Sequence, residues 1–292
     1  MKDQFNKGLL LTSLGSFWWG FIGVIYFQYV SFIGHIELVV HRCLWTAVML
    51  LLTTTFFSKW SLFKKIIKNK NYLFGLFISG FLIFINWAVW IYAVATERII
   101  DASFGYFIMP IISVLLGYIF FRENLNNKRI ISIILVITSI LIMIFFNLKS
   151  LPWVGIIVAL SWAFYNLVRK KIDIDTDVGL LIESLYILPF AVVTFYYIAL
   201  NGFNDFSISK PGLSLFLILA GPMTVIPLFL YVRGVELIGL GPTGMIFYIT
   251  PTLQFILGYF YYNEDFSIIK FVSFIIIWIA VIIYLKDLYE TN

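Results

Sequence analysis

Long apolar runs separated by short polar breaks dominate the chain. The runs are 17 to 24 residues long, close to the length that an α-helix needs to cross the hydrocarbon core of a membrane. The pattern predicts ten spans: Gly8–Val30, His35–Phe57, Tyr72–Ala95, Ala102–Phe121, Ile130–Leu148, Pro152–Val168, Val178–Leu200, Gly212–Tyr231, Gly241–Tyr262 and Ile268–Leu285. The first run lacks a small-residue cleavage site and is too long for a signal-peptide core, so we expect it to be retained.

The distribution of Lys and Arg predicts the orientation of these spans. If the N-terminus is cytoplasmic, 15 of the 20 basic residues fall on the cytoplasmic side. The outer side then keeps only Arg98, Lys149, Lys210 and Lys270, and Arg42 lies within a span. Because cytoplasmic loops of membrane proteins are enriched in Lys and Arg, both termini are predicted to be cytoplasmic. The net charge of +5 is thereby explained without nucleic acid.

Two parts of the sequence repeat each other. Met109–Tyr118 aligns with Thr250–Tyr259, both with Pro in the second position and Gly-Tyr at the end, and Glu123 aligns with Glu264 at the same offset of 141 residues. Trp19-Gly20-Phe21 likewise resembles Trp162-Ala163-Phe164. The sequence predicts two halves, residues 1–149 and 150–292, of five spans each. Five is odd, so the halves must be inverted relative to each other, as in many alternating-access carriers.

Composition agrees with a membrane protein and excludes other classes. The chain is 62% hydrophobic and 12% charged, whereas soluble domains are about half apolar and about a quarter charged. The single Cys43 excludes an intrachain disulfide and a cysteine-based metal site. No Gly-rich phosphate loop, metal-ligand spacing or Ser/His/Asp set stands out, so we predict no enzyme, no metal and no cofactor. The predicted fold class is an all-α polytopic membrane protein.

Four ionisable residues lie inside the predicted spans, where a charge is costly and needs a partner or a wet cavity. They are Glu37, His41 and Arg42 in span two and Glu183 in span seven. Glu37 and His41 are four residues apart and share a helix face. A polar clamp between helices and a functional role are both open for Glu37 and Arg42. Glu183 is interpreted as the group that carries a proton, with an Arg-paired structural role as the alternative.

Aromatic and amide side chains next to helix breakers are the candidate contacts to a substrate. Asn86 and Trp90 share one face of span three, and Pro110 and Pro251 each free a carbonyl in mid-helix. Trp90 and Tyr248 are predicted to face one central cavity from opposite halves. The full set of candidate substrate-binding residues is Trp19, Asn86, Trp87, Trp90, Tyr106, Trp162, Tyr165, Tyr248 and Gln254.

Several motifs together resemble the RarD-like branch of the EamA drug/metabolite transporter superfamily. They are Glu37–Trp45, Asn86-Trp87, Asp101–Pro110, Tyr165 with Arg169-Lys170, Glu183–Pro189 and Tyr248–Phe255. The resemblance covers nearly the whole chain, and it implies a multi-pass protein of a bacterial cytoplasmic (inner) membrane. It implies a ten-helix carrier of two inverted five-helix repeats, with a central cavity lined by helices one, three, four, six, eight and nine.

The repeat, the aromatic residues and the resemblance predict a secondary active transporter. Its substrate would be a small amphipathic or zwitterionic organic solute, such as an amino acid, a related metabolite or a drug. The expected partners are that solute and membrane lipids, with proton coupling through Glu183. A lipid or lysolipid flippase and a non-transporting membrane subunit are the alternatives, and monomer and homodimer both stay open.

Overall fold

The computed structural model describes residues 2–30, 32–95, 99–147, 153–260 and 268–291. These residues are nearly all helical. The helices are α1 (Lys2–Phe17), α2 (Gly23–Tyr29), α3 (His35–Phe56), α4 (Trp60–Ile67), α5 (Lys70–Ala95), α6 (Ile99–Phe121), α7 (Asn127–Asn147), α8 (Trp153–Ile172), α9 (Thr176–Leu200), α10 (Pro211–Ile238), α11 (Leu240–Ile246), α12 (Ile249–Phe260) and α13 (Ile268–Thr291). A π-helical turn, Trp18–Ile22, joins α1 to α2. The predicted all-α fold class is confirmed.

Each of the ten predicted spans coincides with helix in the described residues. By length and apolar character, seven described segments could cross a membrane: Asp3–Tyr29, His35–Phe56, Lys70–Ala93, Asn127–Phe146, Thr176–Leu200, Pro211–Ile238 and Phe271–Thr291. Gly105–Phe121 is apolar but shorter. The ninth predicted span is divided into α11 and α12. The sixth corresponds to α8, which continues beyond Val168 and carries three basic residues in its last turn.

The sequence pattern did not predict α4, which lies between the second and third spans. One side of this short helix places Leu62, Phe63 and Ile66 against Tyr72 and Leu73 of α5. The other side carries Lys64 and Lys65, which are exposed. An eight-residue amphipathic helix is too short to be recognised as a span, which explains why this stretch read as a loop.

Helices from the first half of the chain pack mainly against helices from the second half. The principal contacts are α1 with α10, α5 and α6 with α8, α3 with α9 and α10, α6 with α11, and α7 with α13. Small residues permit the closest approaches, as is common between membrane helices. A Cβ on Gly105 of α6 would lie 2.4 Å from the carbonyl oxygen of Gly155 of α8. The large apolar side chains Leu52, Phe145 and Phe190 point outwards, 66%, 79% and 72% exposed, as expected of a lipid-facing surface.

Polar ties join segments at one end of the helices, which we call the terminal face because it holds Phe5 and Leu288 near the two chain ends. The Glu123 carboxylate accepts hydrogen bonds from the backbone N–H groups of Leu240 (2.8 Å) and Gly241 (2.9 Å). Gly239, with φ of +94°, makes the sharp turn there, and a Cβ on it would lie 2.4 Å from Glu123 Oε1. Glu123 therefore fixes the start of α11.

A second tie at the terminal face joins the loop before α4 to the start of α9. The ammonium of Lys59 contacts the carboxylates of both Asp175 and Asp177. Burial lowers the pKa of Lys59, but the hydrogen bonds to the Asp177 and Asp175 carboxylates outweigh burial and hold the pKa above its ordinary value. Asp175 also caps α9 by accepting a hydrogen bond from the Val178 N–H. This face of the protein is closed by charge pairs.

Candidate functional site

A cavity of about 50 Å³ lies between the helices. It is lined by Trp19, Gly23, Val24, Phe27, Arg42, Asn86, Trp87, Trp90, Tyr106, Trp162, Phe247, Thr250 and Gln254. Seven of the nine candidate substrate-binding residues are in this set. The cavity is about a third of the roughly 150 Å³ that accommodates a benzene molecule in an apolar protein interior. In this conformation it admits only a few solute atoms.

Two breaks in regular helix position the aromatic wall of the cavity. The π-helical turn Trp18–Ile22 contains Trp19, and the interruption between α11 and α12 contains Phe247. Pro251 cannot donate a hydrogen bond to the carbonyl of Phe247, and the Thr250 N–H donates to that oxygen instead at 2.9 Å. The rings of Trp19 and Trp162 meet edge to face, with centroids 5.0 Å apart. The aromatic wall of the cavity, which we also call its floor, is therefore formed by the rings of Trp19, Trp162 and Phe247.

Arg42 contributes the positive charge of the cavity. Its side chain is only 6% exposed, and its Nε donates a hydrogen bond to Thr224 Oγ1 at 3.0 Å. The guanidinium carbon lies 4.6 Å from the centre of the Trp87 ring and 5.2 Å from that of Phe27. Cations over aromatic faces are stabilised by the ring quadrupole. Two rings and one hydroxyl thus hold the guanidinium at the cavity wall.

Two amide side chains contribute uncharged polar groups to the wall. Asn86 Nδ2 donates to the carbonyl oxygen of Val158 (3.0 Å) and to Ser161 Oγ (3.1 Å), which fixes the amide between α5 and α8. Gln254 lines the cavity from α12. Trp90 completes this side, with its ring edge to face against Phe27 at 5.3 Å. The cavity thus combines aromatic faces, two amides and one guanidinium.

Tyr248 and Tyr165 do not line the cavity, so their sequence-based placement is corrected. Tyr248 turns into the contact between α6 and α13, where its hydroxyl donates to the Phe107 carbonyl at 2.8 Å. It follows Phe247 directly in the turn between α11 and α12, and the two adjacent rings point in different directions. Tyr165 stacks on Trp162 beyond the cavity floor, with ring centroids 5.6 Å apart. Of the two adjacent rings, that of Phe247 therefore lines the cavity and that of Tyr248 does not.

Glu183 lies outside the cavity, in a fully buried polar cluster towards the terminal face. Its Oε1 accepts from Ser79 Oγ at 2.5 Å and is 3.5 Å from Arg169 Nη1. Its Oε2 accepts from the Tyr165 hydroxyl at 3.2 Å. Arg169 Nη2 is also 3.7 Å from Glu236 Oε1. The carboxylate joins α5, α8 and α9, and its Arg pairing matches the structural alternative that the sequence left open.

Glu37 and His41 form a pair away from the cavity, near the loop before α10. Glu37 Oε1 accepts hydrogen bonds from the backbone N–H groups of Asp205 (2.7 Å) and Phe206 (3.2 Å). His41 Nε2 is 3.5 Å from the same carboxylate oxygen, and His41 Nδ1 accepts from Trp45 Nε1 at 3.1 Å. These contacts make the pair an anchor for the 201–210 loop.

Sequence reasoning missed part of the lining. Gly23 and Phe27 follow Trp19 at intervals of four residues, and Thr250 and Gln254 follow Phe247 at three and seven. Such spacings place residues on one helix face, so a search from Trp19 and Gln254 would have found them. The resemblance implied that the eighth membrane span, which is α10 in this structure, lines the cavity. The lining instead includes Arg42 from α3 and no residue of α10.

Apolar helices long enough to cross a membrane, packed around an aromatic cavity, define the class of multi-pass helical membrane proteins. Residues 6–145 match the model of the EamA-like transporter family. Protein RarD of Escherichia coli (strain K12) is 33% identical over 99% of this chain and 97% of its own length. The uncharacterized transporter YojE of Bacillus subtilis (strain 168) is 31% identical over 96% and 93%. The chain belongs to the EamA-like transporter family.

A solved structure supports the fold independently. One crystal structure superposes with a TM-score of 0.70, covering 94% of this chain and 96% of that chain, at 12% sequence identity. At that identity the likeness concerns the fold alone. The relatives named above are bacterial, and YojE is named as an uncharacterized transporter. The chain is thus a multi-pass membrane protein of a transporter family.

Proposed function

We propose that the protein is a secondary active transporter, not an enzyme, and that it moves a small amphipathic or zwitterionic organic solute by alternating access. The observation that carries the proposal is the cavity between the helices, which combines aromatic surfaces with Arg42, Asn86 and Gln254. Aromatic faces suit apolar groups and ammonium ions, and a guanidinium suits a carboxylate. Sites of this kind near the membrane centre are typical of carriers built from repeats.

Contacts between residues at matching positions of the two halves support the inverted repeat. At the offset of 141 residues, Tyr106 corresponds to Phe247, and their ring centroids are 5.6 Å apart. At the same offset Phe107 corresponds to Tyr248, and the Tyr248 hydroxyl donates a hydrogen bond to the backbone carbonyl of Phe107. Equivalent residues that touch lie on the axis relating two repeats. The proposed axis therefore passes through α6 and the break between α11 and α12, beside the cavity.

The helix pairs follow the same symmetry. Exchanging the halves turns the contact of α1 with α10 into that of α8 with α5, and both are principal contacts. The contacts of α3 with α9 and of α7 with α13 are each converted into themselves. The family model also ends at residue 145, close to the proposed boundary. That boundary, between residues 149 and 150, and Glu264 lie outside the described residues.

The conformation supports access from the face opposite the terminal face. The charge pairs of Lys59 and Arg169 and the Glu123 bonds to α11 close the terminal side. Phe27, near the end of α2, and Arg42, in the first half of α3, line the cavity on the side away from the terminal face. Opening the terminal side requires these ties to break. A proton on Glu183 would remove one carboxylate partner of Arg169, which makes Glu183 the proposed coupling group.

The terminal face is proposed to be cytoplasmic, and cysteine labelling tests this. We expect Ile208→Cys to react with a membrane-impermeant maleimide in intact bacterial cells, because Ile208 is 99% exposed on the opposite face. Lys65→Cys on α4 is exposed at the terminal side and should react only after the membrane is opened. The native Cys43 is buried and provides a low background. Labelling of Lys65→Cys in intact cells would contradict the orientation.

Replacing Trp90 with alanine should weaken solute binding. Loss of the ring face should cost about 1 kcal/mol or more, roughly fivefold in Kd, if the stacking matches other cation–π and aromatic contacts. Thermal-shift titration of the purified protein with amino acids, amines and drugs measures this, because a bound ligand stabilises the folded state. Trp60→Ala, on α4 outside the cavity, is the matched control. Equal loss of affinity in both variants would refute the assignment of Trp90.

The same titration tests the proposed function. At least one small organic solute should raise the melting temperature of the wild type, and the shift should shrink in Trp90→Ala. A protein that responds to no member of a broad panel, or responds only to lipids, would favour the flippase or the non-transporting subunit.

A further inference from the structure

Arg42 has hydrogen-bond donors that the described part of the chain leaves unused. A guanidinium carries five N–H donors, and one of them, on Nε, is donated to Thr224. The described residues offer no hydrogen bond to Nη1 or Nη2, and none of their carboxylates lies within 4.0 Å of the guanidinium. The side chain is 6% exposed and lines the cavity. With respect to the described residues, its remaining donors are therefore available to a solute.

The charge of the cavity wall is unbalanced. Among the residues that line it, Arg42 has a formal charge and the others are uncharged. Keeping an unpaired charge away from water is strongly unfavourable, and the rings of Trp87 and Phe27 offset only part of that cost. The other buried arginines, Arg129 and Arg169, have carboxylate partners within the protein. Among the described residues Arg42 has no such partner, and an anionic group of a solute would supply one.

The planar guanidinium favours one kind of anion. Two parallel N–H groups match the two oxygens of a carboxylate, which gives short, charge-assisted hydrogen bonds. The space beside it is narrow and bounded by the rings of Trp19, Trp90 and Trp162. A compact, flat carboxylate with an apolar remainder fits this combination better than a bulky tetrahedral phosphate ester.

We infer that the cavity selects solutes that carry a carboxylate, with the carboxylate on Arg42 and the apolar part against the tryptophans. Asn86 Oδ1 accepts no hydrogen bond from the described residues, and it and the Gln254 amide are placed to accept an ammonium or hydroxyl of the solute. Amino acids and small organic acids thus fit, and simple amines do not. This inference rests on the proposed carrier function and narrows its substrate class.

Matched ligand series test the inference on the wild-type protein. One series is leucine, 4-methylpentanoate, leucinamide and 3-methylbutylamine, and the other is phenylalanine with the corresponding acid, amide and amine. We expect the members with a carboxylate to bind at least about tenfold more tightly than the amide and amine of the same shape, since hydrogen bonds to charged groups are worth more than neutral ones. Equal or stronger binding of the amides or amines would overturn the inference.

Two substitutions then assign the preference to Arg42. Arg42→Gln should abolish the tenfold difference, and Arg42→Lys, which keeps the charge but loses the planar fork, should reduce it. Thr224→Val, which releases Nε without touching the charge, is the milder variant should Arg42→Gln not fold. If a folded Arg42 variant still prefers the carboxylate ligands as strongly as the wild type does, the inference is overturned. It is also overturned if phosphatidylglycerol vesicles compete for the cavity and none of the carboxylate ligands does. Binding of amines or neutral drugs only would refute it while leaving the carrier proposal standing.

Discussion

Removing the buried Arg169 should destabilise the protein by about 3 to 5 kcal/mol. Arg169→Met would leave Glu183 and Glu236 without their buried cationic partner, and breaking a buried ion pair from one side costs this much because the other charge stays uncompensated. The side chain is 1% exposed, so water does not replace the lost contact. The midpoint of unfolding in detergent, measured by heat and by denaturant, reports the change.

An exposed arginine in the same cluster is the control. Arg233 pairs with Glu236 at 2.8 Å, but its side chain is 44% exposed. Exposed ion pairs contribute up to about 1 kcal/mol, so Arg233→Met should have a small effect. The double substitution Arg169→Met with Glu183→Gln removes one orphaned carboxylate and should recover part of the stability. Equal effects of Arg169→Met and Arg233→Met would contradict the buried network.

Glu183→Gln alone distinguishes coupling from structure at this cluster. Glutamine keeps the shape and cannot titrate. Its amide oxygen can accept from the Ser79 hydroxyl, and its NH2 group would donate to the Tyr165 hydroxyl oxygen, which reverses that hydrogen bond. A coupling role predicts that gradient-driven transport is lost while solute binding or exchange survives. If the variant transports normally with an unchanged pH profile, the proposed coupling through Glu183 is wrong and the carboxylate is structural.

Adding one methyl group at Gly105 should separate two helices. The new Cβ would lie 2.4 Å from the carbonyl oxygen of Gly155, and both α6 and α8 present backbone there, so neither side can rotate away. Overpacking of this kind typically costs about 1 to 3 kcal/mol. Because Tyr106 is the next residue and lines the cavity, Gly105→Ala should also weaken solute binding. Melting temperature and thermal-shift titration measure the two effects.

Gly212→Ala is the matched substitution for this experiment. Nothing lies within 4 Å of a Cβ built on Gly212, near the start of α10. Alanine favours helix more than glycine does, so the melting temperature should stay the same or rise. A Gly105→Ala protein as stable as Gly212→Ala would show that α6 and α8 are not in close contact.

Hydrophobic pattern was sufficient to predict the spans, since a membrane helix needs only length and apolar character. It failed where tertiary contacts decide the local structure. The division of the ninth span at Phe247 and Tyr248 depends on Pro251 and on the Glu123 bonds to α11, which join residues more than 100 positions apart. The π-helical turn at Trp18–Ile22 likewise has no signal in the apolar pattern.

The types of residue in the candidate site were predictable from the sequence, but the direction in which each side chain points was not. Trp19, Trp90 and Trp162 were selected because they lie near helix breakers on repeat-related spans, and they line the cavity. Tyr248 met the same criteria and points away, because the break before α12 sets which of two adjacent rings faces inwards. Arg42 was recognised as too deep for a surface residue. Its ring partners, Trp87 and Phe27, come from other helices.

Counterflow in proteoliposomes tests the central claim, that this cavity carries small solutes across the membrane. Vesicles containing the purified protein and loaded with unlabelled amino acids should take up the labelled solute faster than protein-free vesicles. Gly23→Leu places a side chain into the cavity with only ordinary contacts around its Cβ, so it should fold but lose uptake. Uptake that is equal in Gly23→Leu, or absent for every amino acid, amine and drug tested while labelled lipids are scrambled, would contradict the account.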